Sequence, residues 1–385
     1  MPYYTSAGSI PHKRHTQFRD KKGHLYSEQL FSTEGFSNDY SLLYHLHPPT
    51  VITQTEGHID LRPKLATLPS LHHRAFEGFQ IIPVADFIMS RQPVLVNRDC
   101  HIVLASPQQS ILDYFYKNAD ADEIIFVHEG SGKLLTQYGE LSFSYGDYIV
   151  VPRGTIYQIH FDTPENRLLI TESFSPVKFP KKYISKNGQL LENSPYCERD
   201  IRKPVFVQPR EEKGDFIIRI KKQGLLYTLH YAFHPFDVVG WDGCAWPFIF
   251  SIHDFEPITG RVHQPPPVHQ TFEGNNFVIC SFVPRLYDYH PAAIPAPYNH
   301  SNIDSDEVLY YVDGDFMSRK NVTRGMITLH PSGIPHGPHP GTVEKSIGAK
   351  ETKELAVMID TFHPLELTVQ ALSIENPDYV KSWME

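Results

Sequence analysis

Cysteine is scarce in this chain. Cys100, Cys197, Cys244 and Cys280 stand far apart, with no CxxC pair among them. That excludes a dense disulfide framework and a cysteine-built zinc cage, and it fits reduced thiols in a cytoplasmic protein. Long hydrophobic runs are missing as well. No stretch approaches the ~18 apolar residues of a membrane helix, and the N-terminus lacks the apolar core of a secretory leader, so no membrane partner is expected. Positive charge is in deficit: 35 Lys and Arg face 44 Asp and Glu, a net −9, which argues against a general nucleic-acid binder. The one basic cluster, Lys13, Arg14, Arg19, Lys21 and Lys22, reads as solvated surface.

Proline, glycine and histidine are present in quantity, at 32, 23 and 22 residues. Frequent Pro and Gly cut the chain into short segments, which predicts an all-β architecture with few short helices. Expected strands are Leu25–Leu30, Tyr40–Tyr44, Val94–Val96 and Ile102–Ala105. Leu225–Leu229, Phe248–Ile252 and Phe277–Phe282 follow, all three assigned to a second barrel. Residues 163 to 210, rich in Pro, Lys and Glu, read as a connection between halves. Asn376–Met384 reads as a short helix docked on the surface.

Chemistry concentrates between His300 and His336. His300, Asn302, Glu307 and Gly314 form one spaced set, and Gly325, Pro331, Gly333 and His336 a second about ten residues on. Two imidazoles and one carboxylate with open positions suit a non-haem Fe(II) site that admits substrate and O2. Together the two sets resemble the paired signatures of the cupin barrel, with Asn302 in place of a usual second histidine. Both sets recur earlier in the chain. Tyr116, Asn118, Glu123 and Gly130 repeat the first, while Gly146, Pro152, Gly154 and Tyr157 repeat the second, with tyrosines at both histidine positions. The runs Ile124–Val127 and Tyr148–Val151 are expected to fill a barrel interior. The expected architecture is two cupin-type jelly-roll barrels: residues 1–190 an N-terminal arm plus a degenerate, metal-free barrel, and residues 191–385 the iron-binding catalytic barrel.

Several further stretches resemble the homogentisate 1,2-dioxygenase family of bicupin iron enzymes. They are Leu25–Leu30, His234–Gly243, Phe282–Arg285, Pro297–Asn302 and Pro335–Pro338. The resemblance implies Fe(II), O2 and ring cleavage of homogentisate or a close 2,5-dihydroxyphenyl compound, as in tyrosine and phenylalanine degradation. It also implies a homo-oligomer, a trimer or a hexamer. By position, the iron ligands would be His300, Glu307 and His336, the catalytic histidine His263, and a further pocket histidine His330. His300 and His336 could otherwise be a pair of hydrogen-bonded structural histidines, and His263 an ordinary loop histidine.

Three departures stand out. One extra residue precedes the glutamate, so Asp306 is a rival to Glu307, although the spacing to Gly314 favours Glu307. The chain is shorter than typical members. The family's substrate-contacting tyrosine is Phe316 here, which bears on substrate choice. Tyr311, with the strand parity of Glu307, and His336 complete the expected substrate-facing set. Two other readings remain at this point: a non-enzymatic bicupin binding protein, and a bicupin using Zn or Mn for isomerisation or hydrolysis.

Overall fold

Short elements dominate the computed structural model, which describes residues 3–67, 70–314, 316 and 321–384. The longest strand, Lys213–Lys222, has 10 residues, and the two α-helices, Thr342–Ser346 and Val369–Ser373, have five each. No helix among the described residues is long and apolar enough to cross a membrane, and all four cysteines are free.

Two sheets enclose the first barrel. A seven-stranded sheet runs Gly139–Phe143, Gly132–Thr136, Ile156–Phe161, Phe115–Asn118, Lys213–Lys222, Leu225–Phe233 and Ile52–Asp60 in spatial order. An eight-stranded sheet runs Ile201–Arg202, Phe248–Ser251, Asp147–Val151, Asp122–Glu129, Arg167–Ser173, Cys100–Ala105, Arg91–Val96 and Glu366–Leu367. The second barrel is built on a six-stranded sheet, Gln270–Gly274, Phe277–Phe282, Leu355–Thr361, Asp306–Asp313, Met326–His330 and Arg74–Glu77. Its other face is short, formed by Arg285–Leu286 paired with Glu351–Thr352 and by an isolated bridge between His300 and His336. The fold is thus mainly β, with two cupin-type barrels in one chain. A four-stranded sheet of Thr5–Gly8, Val238–Gly243, Tyr40–His45 and Ser27–Ser32 lies beside them.

The sequence-based expectations need correction at three points. Leu225–Phe233 and Phe248–Ser251 do form strands, but both hydrogen-bond within the first barrel's sheets, the first to Ile52–Asp60 and the second to Asp147–Val151. Residues 163–210 contain Arg167–Ser173, a strand in the middle of the eight-stranded sheet, so that segment is not wholly a connection. Strands are also exchanged: Arg74–Glu77 completes the second barrel and Glu366–Leu367 the first. A strand's partner is decided by which sheet edge it reaches, and short apolar runs carry no record of that.

Burial on both faces explains why the apolar runs show no alternation. In Asp122–Glu129, Ile125 and Val127 face the first barrel's interior, while Ile124 and Phe126 belong to a separate core between the barrels. Val308, Tyr310 and Val312 of the second barrel join that shared core from the other side. The Tyr310 hydroxyl and His128 Nδ1 hydrogen-bond at 2.6 Å across the seam, and Tyr148 and Ser281 hydroxyls meet at 2.9 Å. Successive residues of a strand point to opposite faces, so a strand buried on both shows no alternation. Only every second residue of Ile124–Val127 and Tyr148–Val151 therefore fills the barrel interior.

Candidate metal centre

The odd-numbered face of Asp306–Asp313 points into the second barrel, and Glu307, Leu309 and Tyr311 line its cavity. Asp306 faces the other way. Its Oδ1 accepts the backbone N–H of Ser332 at 2.8 Å and its Oδ2 that of Leu365 at 2.8 Å, which removes it as a rival ligand. His300 and His336 come from loops that are clamped together: His300 N–H donates to His336 O at 2.8 Å, and His336 N–H returns a bond to His300 O at 2.9 Å. Gly337 permits this close approach. It sits at φ +157°, and a Cβ there would lie 2.4 Å from Asn299 Oδ1 and 2.7 Å from Asn299 Cα. At the far end of the strand Gly314 turns at φ +95°, where a Cβ would meet Lys353 O at 2.2 Å.

The three ligand candidates converge. One nitrogen of His300, one oxygen of Glu307 and one nitrogen of His336 lie within 4.8 Å of one another. Glu307 Oε2 is 3.4 Å from His300 Nε2 and 3.5 Å from His336 Nε2. His336 Nε2 is buried and, beyond the 3.5 Å approach of Glu307 Oε2, makes no closer hydrogen bond, as expected of an atom placed for a metal rather than for packing. Glu307 Oε1 is held from behind by His330 Nδ1 at 2.7 Å, and His330 Nε2 lies 3.2 Å from Tyr379 Oη. Burial works against the Glu307 charge, yet hydrogen bonds from His300, His330 and His336 hold the carboxyl well below its usual range. The donor set, two imidazoles and a fixed carboxylate, fits a divalent transition metal such as Fe(II), with other positions free.

A cavity of about 440 Å³ opens beside these atoms. His263, Asn302, Tyr311 and Phe316 line it, whereas His330 and His336 are not among its lining residues. His263 is about one-third exposed, 3.8 Å from Asp288 and ring-to-ring with Tyr298 at 4.9 Å. Partial burial lowers its pKa, against the pull of Asp288. Phe316 packs edge-on against Tyr311 at 4.6 Å, and the Tyr311 hydroxyl lies 3.2 Å from Thr328 Oγ1.

Further residues surround the site, and of these sequence reasoning missed Asp360 and His73. His269, buried in the cavity wall, has an Nδ1 without a hydrogen-bond partner, and burial pushes its pKa down to about 3. Asp360 faces its register partner Glu307; burial and the Glu307 charge push its carboxyl up to about 8. His73 lies behind the ligands, its ring 5.4 Å from His330 and 5.9 Å from His336. The C-terminal segment forms a 3-10 helix, Tyr379–Trp383. It docks on this histidine layer, with Trp383 4.5 Å from His73 and 4.3 Å from His339. The signal for Asp360 lay in the repeat itself, since it stands on the strand matching that of Glu172 in the first copy.

The first barrel shows the same frame without the metal donors. Tyr116 and Tyr157 pair in register as His300 and His336 do, their rings 5.4 Å apart. Tyr157 donates to Glu123 Oε2 at 2.7 Å, and Arg91 pairs with Glu123 and stacks 4.5 Å over Phe87. Burial opposes the Arg91 charge, but Glu123 and its neighbours hold the guanidinium well above its usual pKa. A fixed cation thus neutralises the glutamate that in the second barrel faces two imidazoles.

The chain is similar to several known proteins. The family model described as "Homogentisate 1,2-dioxygenase N-terminal" matches residues 84–252. A Saccharolobus solfataricus protein, named provisionally as a dioxygenase, is 39% identical over 100% of this chain and 99% of its own. Homogentisate 1,2-dioxygenase of Rhizobium etli is 25% identical over 98% of this chain and 89% of its own. Among solved structures, a cupin 2 conserved barrel domain protein from Leptotrichia buccalis is 11% identical, covering 77% of this chain and 100% of its own with a TM-score of 0.34. That last likeness is too distant to bear on function.

Proposed function

The chain belongs to the homogentisate 1,2-dioxygenase family as a divergent member, and we propose that it is an Fe(II)-dependent ring-cleaving dioxygenase. Its substrate in this reading is homogentisate or a close 2,5-dihydroxyphenyl compound, with O2. One observation carries the reading: donor atoms of His300, Glu307 and His336 that could hold a metal meet beside a cavity lined by apolar side chains and His263. Fe(II) held by those three residues would supply the O2 chemistry that ring opening needs.

The chain's own residues would do the rest. Leu309, Ala356, Met358 and Phe282 give the ring an apolar seat. His263, kept neutral by partial burial, is placed to take a proton from a ring hydroxyl at its Nε2. His330 fixes the orientation of Glu307 and so the position of the metal. Phe316 offers no hydroxyl where the family has one, and Tyr311 beside it keeps a polar group in that wall. We place the protein in the cytoplasm, consistent with its free cysteines, and as a homo-oligomer of three or six chains.

Oxygen uptake by iron-loaded protein with homogentisate, gentisate and unsubstituted hydroquinone tests the reading. Homogentisate should be cleaved, and Phe316→Tyr should change its rate relative to hydroquinone by roughly 10-fold or more, the worth of one hydrogen bond to a charged group. Uptake with none of the three compounds would refute the activity. Uptake with hydroquinone alone, in both proteins, would refute the named substrate.

A further inference from the structure

Asp360 has a position in the site that the ligand set does not explain. It stands opposite Glu307 on the adjacent strand, just as Glu172 stands opposite Glu123 in the first barrel. There the second carboxylate is fully engaged. Glu172 accepts from Lys221 Nζ at 2.6 and 2.7 Å and from Arg91 at 3.2 Å, with His101 on the next strand 3.7 Å away. In the second barrel the residue in the place of His101 is Val278. Asp360 Oδ1 is buried without a hydrogen-bond partner, and the side chain lines the cavity among Ala356, Met358 and Leu309. It is also outside the ligand cluster, which gathers His300, Glu307 and His336 within 4.8 Å. A buried carboxyl oxygen without a partner is unfavourable unless a donor arrives from the cavity.

Resting on the aromatic-substrate reading above, we propose that Asp360 accepts a hydrogen bond from a substrate hydroxyl held beside the metal. It thereby selects rings that carry a free second hydroxyl. The first barrel closed the same position with its own cations, whereas the second leaves it for the ligand. The apolar residues around Asp360 seat the ring, and the hydrogen bond to Asp360 Oδ1 fixes its rotation.

Anaerobic calorimetry on the iron-loaded protein separates the possibilities, with hydroquinone and 4-methoxyphenol as probes and metal content measured in parallel. Wild type should bind hydroquinone roughly 10- to 100-fold tighter than 4-methoxyphenol, the scale of satisfying a buried polar group that is otherwise left without a partner. Asp360→Leu should erase that preference while keeping its iron. Asp360→Asn, which retains a carbonyl acceptor and the side-chain shape, should keep part of the preference and serves if the leucine variant does not fold. An unchanged preference in the variants, or loss of iron in both folded variants, would overturn the inference and leave the enzyme reading standing. Failure of wild type to bind either probe would overturn the aromatic-substrate reading and this inference with it.

Discussion

The two oxygens of Glu307 are used differently. Oε2 faces His300 and His336, while Oε1 is fixed by His330 at 2.7 Å. A carboxylate anchored by one oxygen presents the other in a single orientation, the usual role of a residue behind a metal ligand. His330→Ala should therefore weaken metal binding roughly 10- to 100-fold without abolishing it, measurable by competition with a chelator. His263 sits differently, in the cavity wall and partly exposed, so His263→Phe should keep the metal and the fold and lose turnover by roughly 10²-fold or more. Near-normal turnover in that variant would return His263 to an ordinary loop role and turn attention to His269. At this scale the resemblance to the paired cupin signatures pointed to His300, Glu307 and His336, and the fold brings their donor atoms within 4.8 Å of one another. Asp360 was legible only as the counterpart of Glu172 in the repeat, and His73 was not legible, since the fold brings it to the site across a long sequence separation.

Among the elements, the strand carrying Glu123 and the one carrying Glu307 have the same neighbours and opposite contents. Arg91, at the start of Arg91–Val96, supplies a buried positive charge to Glu123 and Glu172. Arg91→Met would leave two adjacent carboxylates without it, and should destabilise the protein by about 3–5 kcal/mol in urea unfolding, with metal binding unaffected in the folded fraction. A second element-scale expectation concerns the C-terminal 3-10 helix. Trp383 and Tyr379 cover His73, His330 and His339, and Trp383→Ala should loosen that layer and lower metal affinity while leaving the sheets intact by circular dichroism. Strand existence was readable from β-branched runs between Pro and Gly. Strand membership was not, which is why Leu225–Phe233 and Phe248–Ser251 appeared to belong to the second barrel.

For the whole molecule, two barrels share a core through which Tyr310, His128, Tyr148 and Ser281 bond across the seam. His128 lies in that seam, and burial pushes its pKa down to about 3, as it does for His269. Both titrate near 6.5 when unfolded, so the unfolded chain binds more protons between those limits. Their contribution to stability is present above about pH 6.5 and is lost as pH falls toward 3. The urea midpoint should thus be lower at pH 5 than at pH 7, and His128→Gln should reduce the difference; a midpoint that does not move would contradict this. The duplicated frame also makes the central claim countable. Iron per chain, measured on anaerobically reconstituted wild type, His336→Ala and Tyr157→Phe, is its most direct test. One iron in wild type and in Tyr157→Phe, with none in His336→Ala, is the expected result. Two irons in wild type, or full retention in His336→Ala, would contradict a single metal centre in the second barrel.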